Sequence, residues 1–285
     1  MKALPFVAMV RRLEDYWRAQ GCLTVFSWDQ PKGAATFSPY TFFWSLDPKP
    51  YSAAYLEPCR RPADARYGDS PNRLGRYYQY QVFMKPAPAD IRALYEGSLK
   101  ALGIKMGDHE LRYLEDDWES PTLGAAGVGW EVWLDGLEIT QFTYFQSFAG
   151  IEMTAIPAEI TYGLERIAMY LQGVKTVFDI EWEHGVRYGD IFHMDYEKQF
   201  SAFHFEEYDA ACGAEVFEAA HKNAVALAQK GLLLPAYEQV MKCSEVFNSL
   251  DARGAITVEE RNRLIGRTRN AAKAVAKAYT GKTDA

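Results

Sequence analysis

An Asp-Gly dipeptide at positions 135–136 constrains the fold of this chain more than any other feature. It joins two runs in which apolar and polar residues alternate, 130–134 and 137–146. Both central positions of a type I′ two-residue turn require a positive φ, which Asp-Gly tolerates well. We therefore predict an antiparallel β-hairpin in which Leu134 lies opposite Leu137.

The register of this hairpin assigns its side chains to two faces, because directly opposed residues share a face. It pairs Val132 with Ile139 and Glu131 with Thr140. The predicted core face carries Val132, Leu134, Leu137 and Ile139, and the other face carries Glu131, Trp133, Glu138, Thr140, Phe142 and Tyr144. Glu131 and Glu138 lie diagonally across the second face, where two carboxylates can converge on one small cation.

The rest of the chain predicts an α+β fold. Helical spacing is found over residues 4–20 and 88–102, and strand patterns are found at 22–28, 53–57, 77–84 and 111–115. After Gly173 the strand patterns fade, and residues 205–229, 235–250 and 258–279 are typical of helices. We predict an antiparallel β-sheet flanked by helices over residues 1–175, followed by a helical C-terminal domain over residues 176–285.

Composition excludes several classes of protein. The net charge is −7, so a generally basic nucleic-acid-binding surface is not expected. The four cysteines include no CxxC pair and the five histidines no HExxH spacing, which argues against a disulfide framework or a protein-built zinc site. The first twenty residues contain no apolar run of signal-peptide length, and we predict a cytoplasmic protein without a membrane partner.

A positively charged loop interrupts this acidic chain. Six basic residues and two acidic residues lie between Pro58 and Pro86, and most of the arginines belong to a loop between two predicted strands. The arginines are Arg60, Arg61, Arg66, Arg73 and Arg76. Since arginine binds phosphate and carboxylate through two parallel hydrogen bonds, an anion site is favoured over a solvated surface loop.

The strand that follows the loop alternates amide and aromatic side chains. Gln79 and Gln81 share one face, and Tyr78 and Tyr80 share the other. The glutamines are either sheet-surface residues or hydrogen-bonding groups for a small polar ligand. From the residues alone, core packing is the favoured role for the two tyrosines.

Residues 159–173, EITYGLERIAMYLQG, predict a short strand that leads through Gly163 into a helix. The buried stripe of this helix contains Leu164, Ile167, Ala168 and Leu171. Arg166 lies in the first helical turn and off the stripe. It is either a surface arginine paired with a nearby acid or a ligand-binding cation.

Together these elements resemble the signature of class II aminoacyl-tRNA synthetases. The arginine loop with its two strands is similar to motif 2, the GLER segment is similar to motif 3, and Glu131 with Glu138 is similar to the acidic pair that holds Mg²⁺ on ATP. The chain resembles most closely the α-subunit family of bacterial two-subunit glycyl-tRNA synthetases. Long stretches carry this resemblance, among them RRPADARYGDSPNRL, GVGWEVWLDGLEITQFTYFQ and EITYGLERIAMYLQGV.

The resemblance implies a class II catalytic domain that forms glycyl-adenylate from glycine and ATP. It implies an α₂β₂ assembly containing an α dimer, in which a β subunit supplies most of the recognition of tRNA(Gly). Implied as catalytic are Arg60 and Arg166. The ATP-binding residues that the resemblance implies are Arg60, Arg61, Arg73, Arg76, Tyr78, Tyr80, Gly163 and Arg166. Within this set, it implies that Arg60 or Arg61 contacts the α-phosphate and that Tyr78 or Tyr80 stacks on adenine. Implied for the amino-acid pocket are Gln79, Gln81, Trp118 and Glu159, and for Mg²⁺ Glu131 and Glu138.

Departures from the family pattern are concentrated between Val25 and Pro50. Ser27 stands where the family has proline, Pro31 where it has glutamate, Ala35 where it has glycine, and Ser38 where it has histidine. This segment corresponds to motif 1, which shapes the α–α interface and one wall of the site. Two alternatives follow: a synthetase-like paralogue that adenylates a small amino acid for a non-tRNA acceptor, or a catalytically inactive synthetase-like binding module.

Overall fold

A mostly antiparallel β-sheet forms the centre of the molecule, and helices cover it. The structure is a computed structural model and describes residues 4–281. In this part of the chain the main sheet has the order β1-β2-β3-β8-β6-β5-β4, with β7 paired to β6, and only β1 and β2 run parallel. Its strands are β1 (Leu23–Thr24), β2 (Tyr51–Arg60), β3 (Arg76–Lys85), β4 (Leu111–Ser120), β5 (Ala125–Leu134), β6 (Leu137–Phe148), β7 (Ile151–Glu152) and β8 (Ala158–Gly163). A separate hairpin consists of β9 (Glu181–Glu183) and β10 (Val186–Arg187).

The helices confirm the predicted α+β class. They are α1 (Phe6–Ala19), α2 (Pro39–Leu46), α3 (Ile91–Ala101), α4 (Leu164–Gln172), α5 (His193–Ala202), α6 (Ala210–Gln229), α7 (Leu233–Ala252) and α8 (Val258–Thr280). Helix α8 begins at a capping box, in which Thr257 and Glu260 satisfy each other's backbone N–H groups. Among residues 4–281, no helix is both long enough and apolar enough to cross a membrane.

The β5–β6 hairpin forms as predicted at its turn but not along its whole length. Asp135 and Gly136 have φ values of 47° and 84°, and Leu134 lies opposite Leu137. A β-bulge then shifts the register, so that Val132 lies opposite Thr140. The prediction that pairs Val132 with Ile139 is therefore wrong.

The bulge changes which side chains of β6 face the core. Thr140 and Phe142 are buried on the same side as Val132, and Tyr95 donates a hydrogen bond from its hydroxyl to Thr140 Oγ1 at 2.9 Å. The prediction that placed Thr140, Phe142 and Tyr144 beside the glutamates is wrong, since Tyr144 also packs against the main core. Gln141 lies opposite Glu131 instead.

One face of the sheet packs against α1, α3 and α4 and contains the main hydrophobic core. Phe6, Trp17, Tyr95 and Tyr162 are buried there, and Trp17 Nε1 donates to the Tyr162 hydroxyl at 3.1 Å. The opposite face of the sheet carries the polar side chains described below.

A second core cluster joins α2 to the C-terminal helices. The rings of Phe42 and Tyr237 stack with their centroids 3.9 Å apart, and the Tyr237 hydroxyl donates to the Phe37 carbonyl at 2.9 Å. The Tyr279 hydroxyl donates to Asp47 Oδ2 at 2.6 Å. The motif 1-like segment is therefore anchored by residues beyond position 175, and the division of the chain at that position stays a prediction.

Candidate functional site

The polar face of the sheet forms the floor of a cleft of about 450 Å³. This volume is in the usual range for small-molecule sites. Side chains from β3, β4, β5, β6 and β8 share the floor, because alternate residues of each strand point to one face. Nine of the predicted site residues line the cleft: Arg61, Arg73, Gln79, Trp118, Glu131, Glu138, Glu159, Gly163 and Arg166.

Arg61 lies at the wall of the cleft in a fixed position. Its Nε donates to the Gly33 carbonyl at 3.1 Å, and its guanidinium lies 5.4 Å from the centre of the Tyr77 ring. The Tyr77 hydroxyl donates to the same carbonyl at 3.0 Å. The cation is therefore held by a backbone acceptor and an aromatic face rather than by a carboxylate.

Arg60 and Arg76 do not share this cleft. They lie opposite each other in the β2–β3 ladder. Arg60 lines a different cavity, and Arg76 lies over the rings of Tyr78 and Tyr196 at 5.6 and 5.3 Å. Arg60 is the last residue of β2 and, like its partner Arg76, points to the face opposite that of Tyr77, whereas Arg61 begins the loop and lines the cleft. Of the two arginines proposed for the α-phosphate, the geometry therefore favours Arg61.

Tyr78 and Tyr80 belong to the core side of β3, not to the cleft. Tyr80 is only 1% exposed, and Tyr78 packs beside Phe6 and Trp182. Neither ring lines the cleft, so their assignment to adenine does not fit the structure. Tyr77 lines the cleft instead, because it shares a face with Gln79.

The floor of the cleft ends in a buried polar cluster. Gln79 accepts a hydrogen bond from the Ala35 backbone N–H at 2.9 Å, and Thr36 Oγ1 donates to Glu159 Oε1 at 2.6 Å. Gln81 lies on the same face of β3 as Gln79 but is fully buried, and its Oε1 accepts from Thr161 Oγ1 at 2.8 Å. Gln81 therefore supports the floor rather than lining the cleft.

Glu159 has properties that suit a binding carboxylate. Burial raises the pKa of Glu159 to about 7, although hydrogen bonds from Thr36 and Thr161 oppose this effect. Its Oε2 atom has no hydrogen-bond partner among residues 4–281. A cationic ligand group at this position would stabilise the ionised carboxylate.

Arg166 and Glu138 form an ion pair at the edge of the cleft. Arg166 Nη1 donates to Glu138 Oε2 at 2.8 Å and to the Glu138 carbonyl at 3.0 Å, and both side chains are about one-third exposed. Arg166 thus has a specific position in the first turn of α4. The pairing with a nearby acid matches one of the two predicted roles, and the position in the cleft lining is compatible with the other, binding of a ligand.

The two predicted metal ligands line the same cleft. Glu131 accepts a hydrogen bond from Trp133 Nε1 at 2.9 Å. The described residues contain no group of three or more His, Cys, Asp or Glu side chains that could enclose a metal ion. A carboxylate pair fits Mg²⁺ only together with substrate phosphates and water, which is the usual way in which this ion is bound.

Two buried glutamates that the sequence analysis missed hold the start of β3. Glu165 Oε1 accepts from the Tyr78 N–H and the Tyr188 hydroxyl, both at 2.8 Å, and burial raises the pKa of Glu165 to about 7. Glu197 Oε1 accepts from the N–H groups of Gly75 at 2.7 Å and Arg76 at 3.1 Å. The position of Glu165 next to Arg166 in the GLER segment is a sequence signal that could have indicated it. No local pattern connects Glu197 to a strand more than 100 residues earlier.

An antiparallel sheet with a basic loop and an acidic pair on its polar face is the architecture of a class II aminoacyl-tRNA synthetase. The model of the family described as glycyl-tRNA synthetase alpha subunit matches residues 6–284, and the chain belongs to this family. Two solved structures of pyrrolysyl-tRNA synthetase from Desulfitobacterium hafniense are also similar, at 16% and 15% sequence identity. Each match has a TM-score of 0.46 and covers 66% of this chain and 77% of the other.

Proposed function

We propose that this chain is the catalytic α subunit of a glycine–tRNA ligase. It activates glycine with ATP to form glycyl-adenylate and pyrophosphate, and together with a β subunit it transfers glycine to tRNA(Gly). The observation that carries this proposal is the cleft of a synthetase-family chain in which Arg61 and Arg166, an acidic pair and the buried carboxylate of Glu159 meet on one face of the sheet.

The reaction needs positioning and charge neutralisation but no protein nucleophile. A glycine carboxylate oxygen attacks the α-phosphorus of ATP, a new P–O bond forms, and the bond to the bridging oxygen of pyrophosphate breaks. Fixed cations beside the α-phosphate stabilise the developing negative charge. Arg61 supplies this charge, and Arg73 and Arg166 bind the remaining phosphates or the adenine.

Glycine binds at the floor in this proposal. The Glu159 carboxylate accepts hydrogen bonds from the glycine ammonium group, and Gln79 supports the same pocket. Trp118 forms a wall of the cleft. Selecting glycine over alanine requires steric exclusion of one methyl group, and a rigid aromatic wall is suited to this.

Mg²⁺ enters with ATP, and Glu131 and Glu138 are the residues that would hold it. When bound, the ion neutralises phosphate charge. Glu138 also fixes Arg166 through their ion pair, so this carboxylate and the guanidinium are positioned together.

The family description as an alpha subunit supports a separate β subunit as partner. We propose an α₂β₂ enzyme with an α dimer, in which the β subunit provides most of the tRNA recognition and the reaction takes place in the cytoplasm. Anchoring of residues 37–47 by Tyr237 and Tyr279 supports an ordered motif 1-like segment despite its altered sequence.

Amino-acid-dependent ATP–pyrophosphate exchange tests the proposal. The purified chain is assayed with glycine, alanine and serine, each with and without a β subunit, and Arg166→Ala serves as the inactive control. We expect exchange with glycine alone. Exchange with another amino acid would favour the paralogue, and no exchange even with the β subunit would favour the binding module.

A further inference from the structure

A second cavity, separate from the cleft, lies between the start of the arginine loop and α7. Its volume is about 270 Å³, and it shares no lining residue with the cleft. Its walls come from residues 31–33, from Arg60 and Pro62, from the end of α5 and the segment that follows it, and from α7. The Arg60 N–H donates to the Lys32 carbonyl at 2.8 Å, so the wall on this side is fixed by a backbone hydrogen bond.

The charge of this cavity is set by Arg60. Lys32 is paired with Glu57 and Lys242 with Glu245, both at 2.8 Å, so these amines are neutralised locally. The guanidinium of Arg60 has no hydrogen-bond or ion-pair partner in the described part of the chain. The cavity therefore presents one unpaired cation, which suits a single anionic group.

His204 adds an unsatisfied polar group. Its side chain lines the cavity, the residue is 9% exposed, and its Nδ1 has no hydrogen-bond partner among the described residues. Burial and the nearby Arg60 both lower the pKa of His204. A buried ring nitrogen without a partner is uncommon in folded proteins and points to a missing hydrogen-bonding group.

Aromatic rings form the opposite part of the lining. Phe200, Phe203 and Tyr208 line the cavity, and Phe203 is 42% exposed although it is a large apolar residue. Phe203 and His204 begin a π-helical turn, Phe203–Glu207, a rare local structure that is often found at functional sites. An exposed aromatic ring near an unpaired arginine is the combination that binds a base and its phosphate.

We propose that this cavity binds one nucleoside monophosphate unit, with its phosphate on Arg60 and its base against Phe203. His204 hydrogen-bonds the ligand, and the Asn248 side chain at the same wall offers a donor and an acceptor to a base edge. The unit is either a free mononucleotide or the terminal nucleotide of a single-stranded RNA. This site is separate from the adenylation cleft.

AMP binding to the full-length chain, measured by isothermal titration calorimetry in the presence of saturating ATP and Mg²⁺, tests the proposal. We expect one AMP to bind per chain when the cleft is occupied. Phe203→Ala and Arg60→Gln should each weaken this binding at least about tenfold, since base stacking and a charged phosphate contact each contribute that much. Phe26→Ala and Arg12→Gln are matched controls at exposed positions and should leave it unchanged.

Two further ligands test whether the base is recognised and whether the nucleotide is free or belongs to the end of an RNA. Inorganic phosphate should bind more weakly than AMP, and equal binding would overturn the role of the base. A short single-stranded RNA that competes more strongly than AMP identifies an RNA end as the ligand, and the reverse order identifies a free nucleotide. The proposal would be overturned if AMP did not bind in the presence of ATP, or if Phe203→Ala bound AMP as well as the wild type does. ATP–pyrophosphate exchange by Phe203→Ala reports separately on the cleft.

Discussion

The two faces of β3 differ in what they can bind, although their residues alternate along one short strand. Tyr77 and Gln79 lie in the polar cleft with Arg61, whereas Tyr78 and Tyr80 pack on the core side. Arg60, adjacent to Arg61 in sequence, lines the second cavity. A strand separates neighbouring residues by face, so adjacent side chains of the same type have different roles.

The residue composition of a segment therefore does not define a binding site. Five arginines between two strands attract anions in general, but β alternation and the contacts of α5 decide which of them meets a given ligand. Substitutions on the two sides of β3 should therefore have different effects.

Replacing Arg61 should affect adenylation far more than replacing Arg60. Arg61→Ala removes a fixed cation beside the reacting phosphate, and such groups contribute about 10²- to 10³-fold to rate. Arg60→Ala should reduce glycine-dependent ATP–pyrophosphate exchange by less than about fivefold. Equal losses in the two variants would contradict the assignment of the faces.

Glu138→Gln and Glu131→Gln should raise the Mg²⁺ concentration needed for half-maximal exchange by about tenfold or more, as loss of one metal ligand does. Glu138→Gln should also lower the maximal rate, because it removes the partner of Arg166. Glu152→Gln, at an exposed position, is the control. An unchanged Mg²⁺ requirement in both variants would exclude this pair as the metal site.

Glycine binding should depend on pH through Glu159. The pKa of about 7 means that the carboxyl group becomes protonated as the pH falls below 7 and no longer attracts an ammonium group. The KM for glycine should therefore rise between pH 7 and pH 6. Glu159→Gln should raise this KM at pH 7.5 by about tenfold and remove the dependence, and a pH profile identical to that of the wild type would contradict the role.

The same carboxyl group should leave a signature in stability. Its pKa is raised from 4.5 to about 7 in the folded state, so the folded chain retains a proton that the unfolded chain loses between these values. The contribution of Glu159 to stability therefore falls as the pH rises from about 4.5 to 7. Thermal unfolding should show a smaller fall over this range for Glu159→Gln, and an equal fall would place the raised pKa elsewhere.

The smallest effects concern two tyrosines on opposite faces. The Tyr80 hydroxyl is buried without a hydrogen-bond partner among residues 4–281, so Tyr80→Phe should leave exchange unchanged and stability equal or slightly higher. Tyr77→Phe removes the hydrogen bond to the Gly33 carbonyl that helps to fix the wall beside Arg61, and exchange should fall a few-fold. Exchange kinetics and melting temperatures of the two variants compare the two faces of β3. A larger loss of exchange in Tyr80→Phe than in Tyr77→Phe would contradict the assignment of the reaction to the Tyr77 face.

Local patterns predicted much of the fold. The Asp-Gly turn and the C-terminal helices follow from short-range chemistry, and the structure contains both. The bulge in β6 opposite Val132 and Trp133 does not follow from such patterns, because the contacts around it, such as that between the Phe142 and Tyr95 rings, join segments distant in sequence. The same bulge brought Gln141 to the site face.

Some site residues likewise follow from local patterns, and others do not. Alternation along β3 would have indicated Tyr77 in place of Tyr78 or Tyr80, since Gln79 was already assigned to the site. The contact of Glu197 with the start of β3 and the lining of the second cavity by His204 could not be predicted, because both depend on chain segments that meet only in the folded molecule.

If adenylation takes place on the face of β3 that carries Tyr77 and Gln79, a non-hydrolysable glycyl-adenylate analogue should bind there. A crystal structure of the chain with this analogue should show the phosphate-like group beside Arg61 and the glycyl ammonium at Glu159. An analogue bound beside Arg60 and Phe203, with the cleft empty, would contradict this expectation.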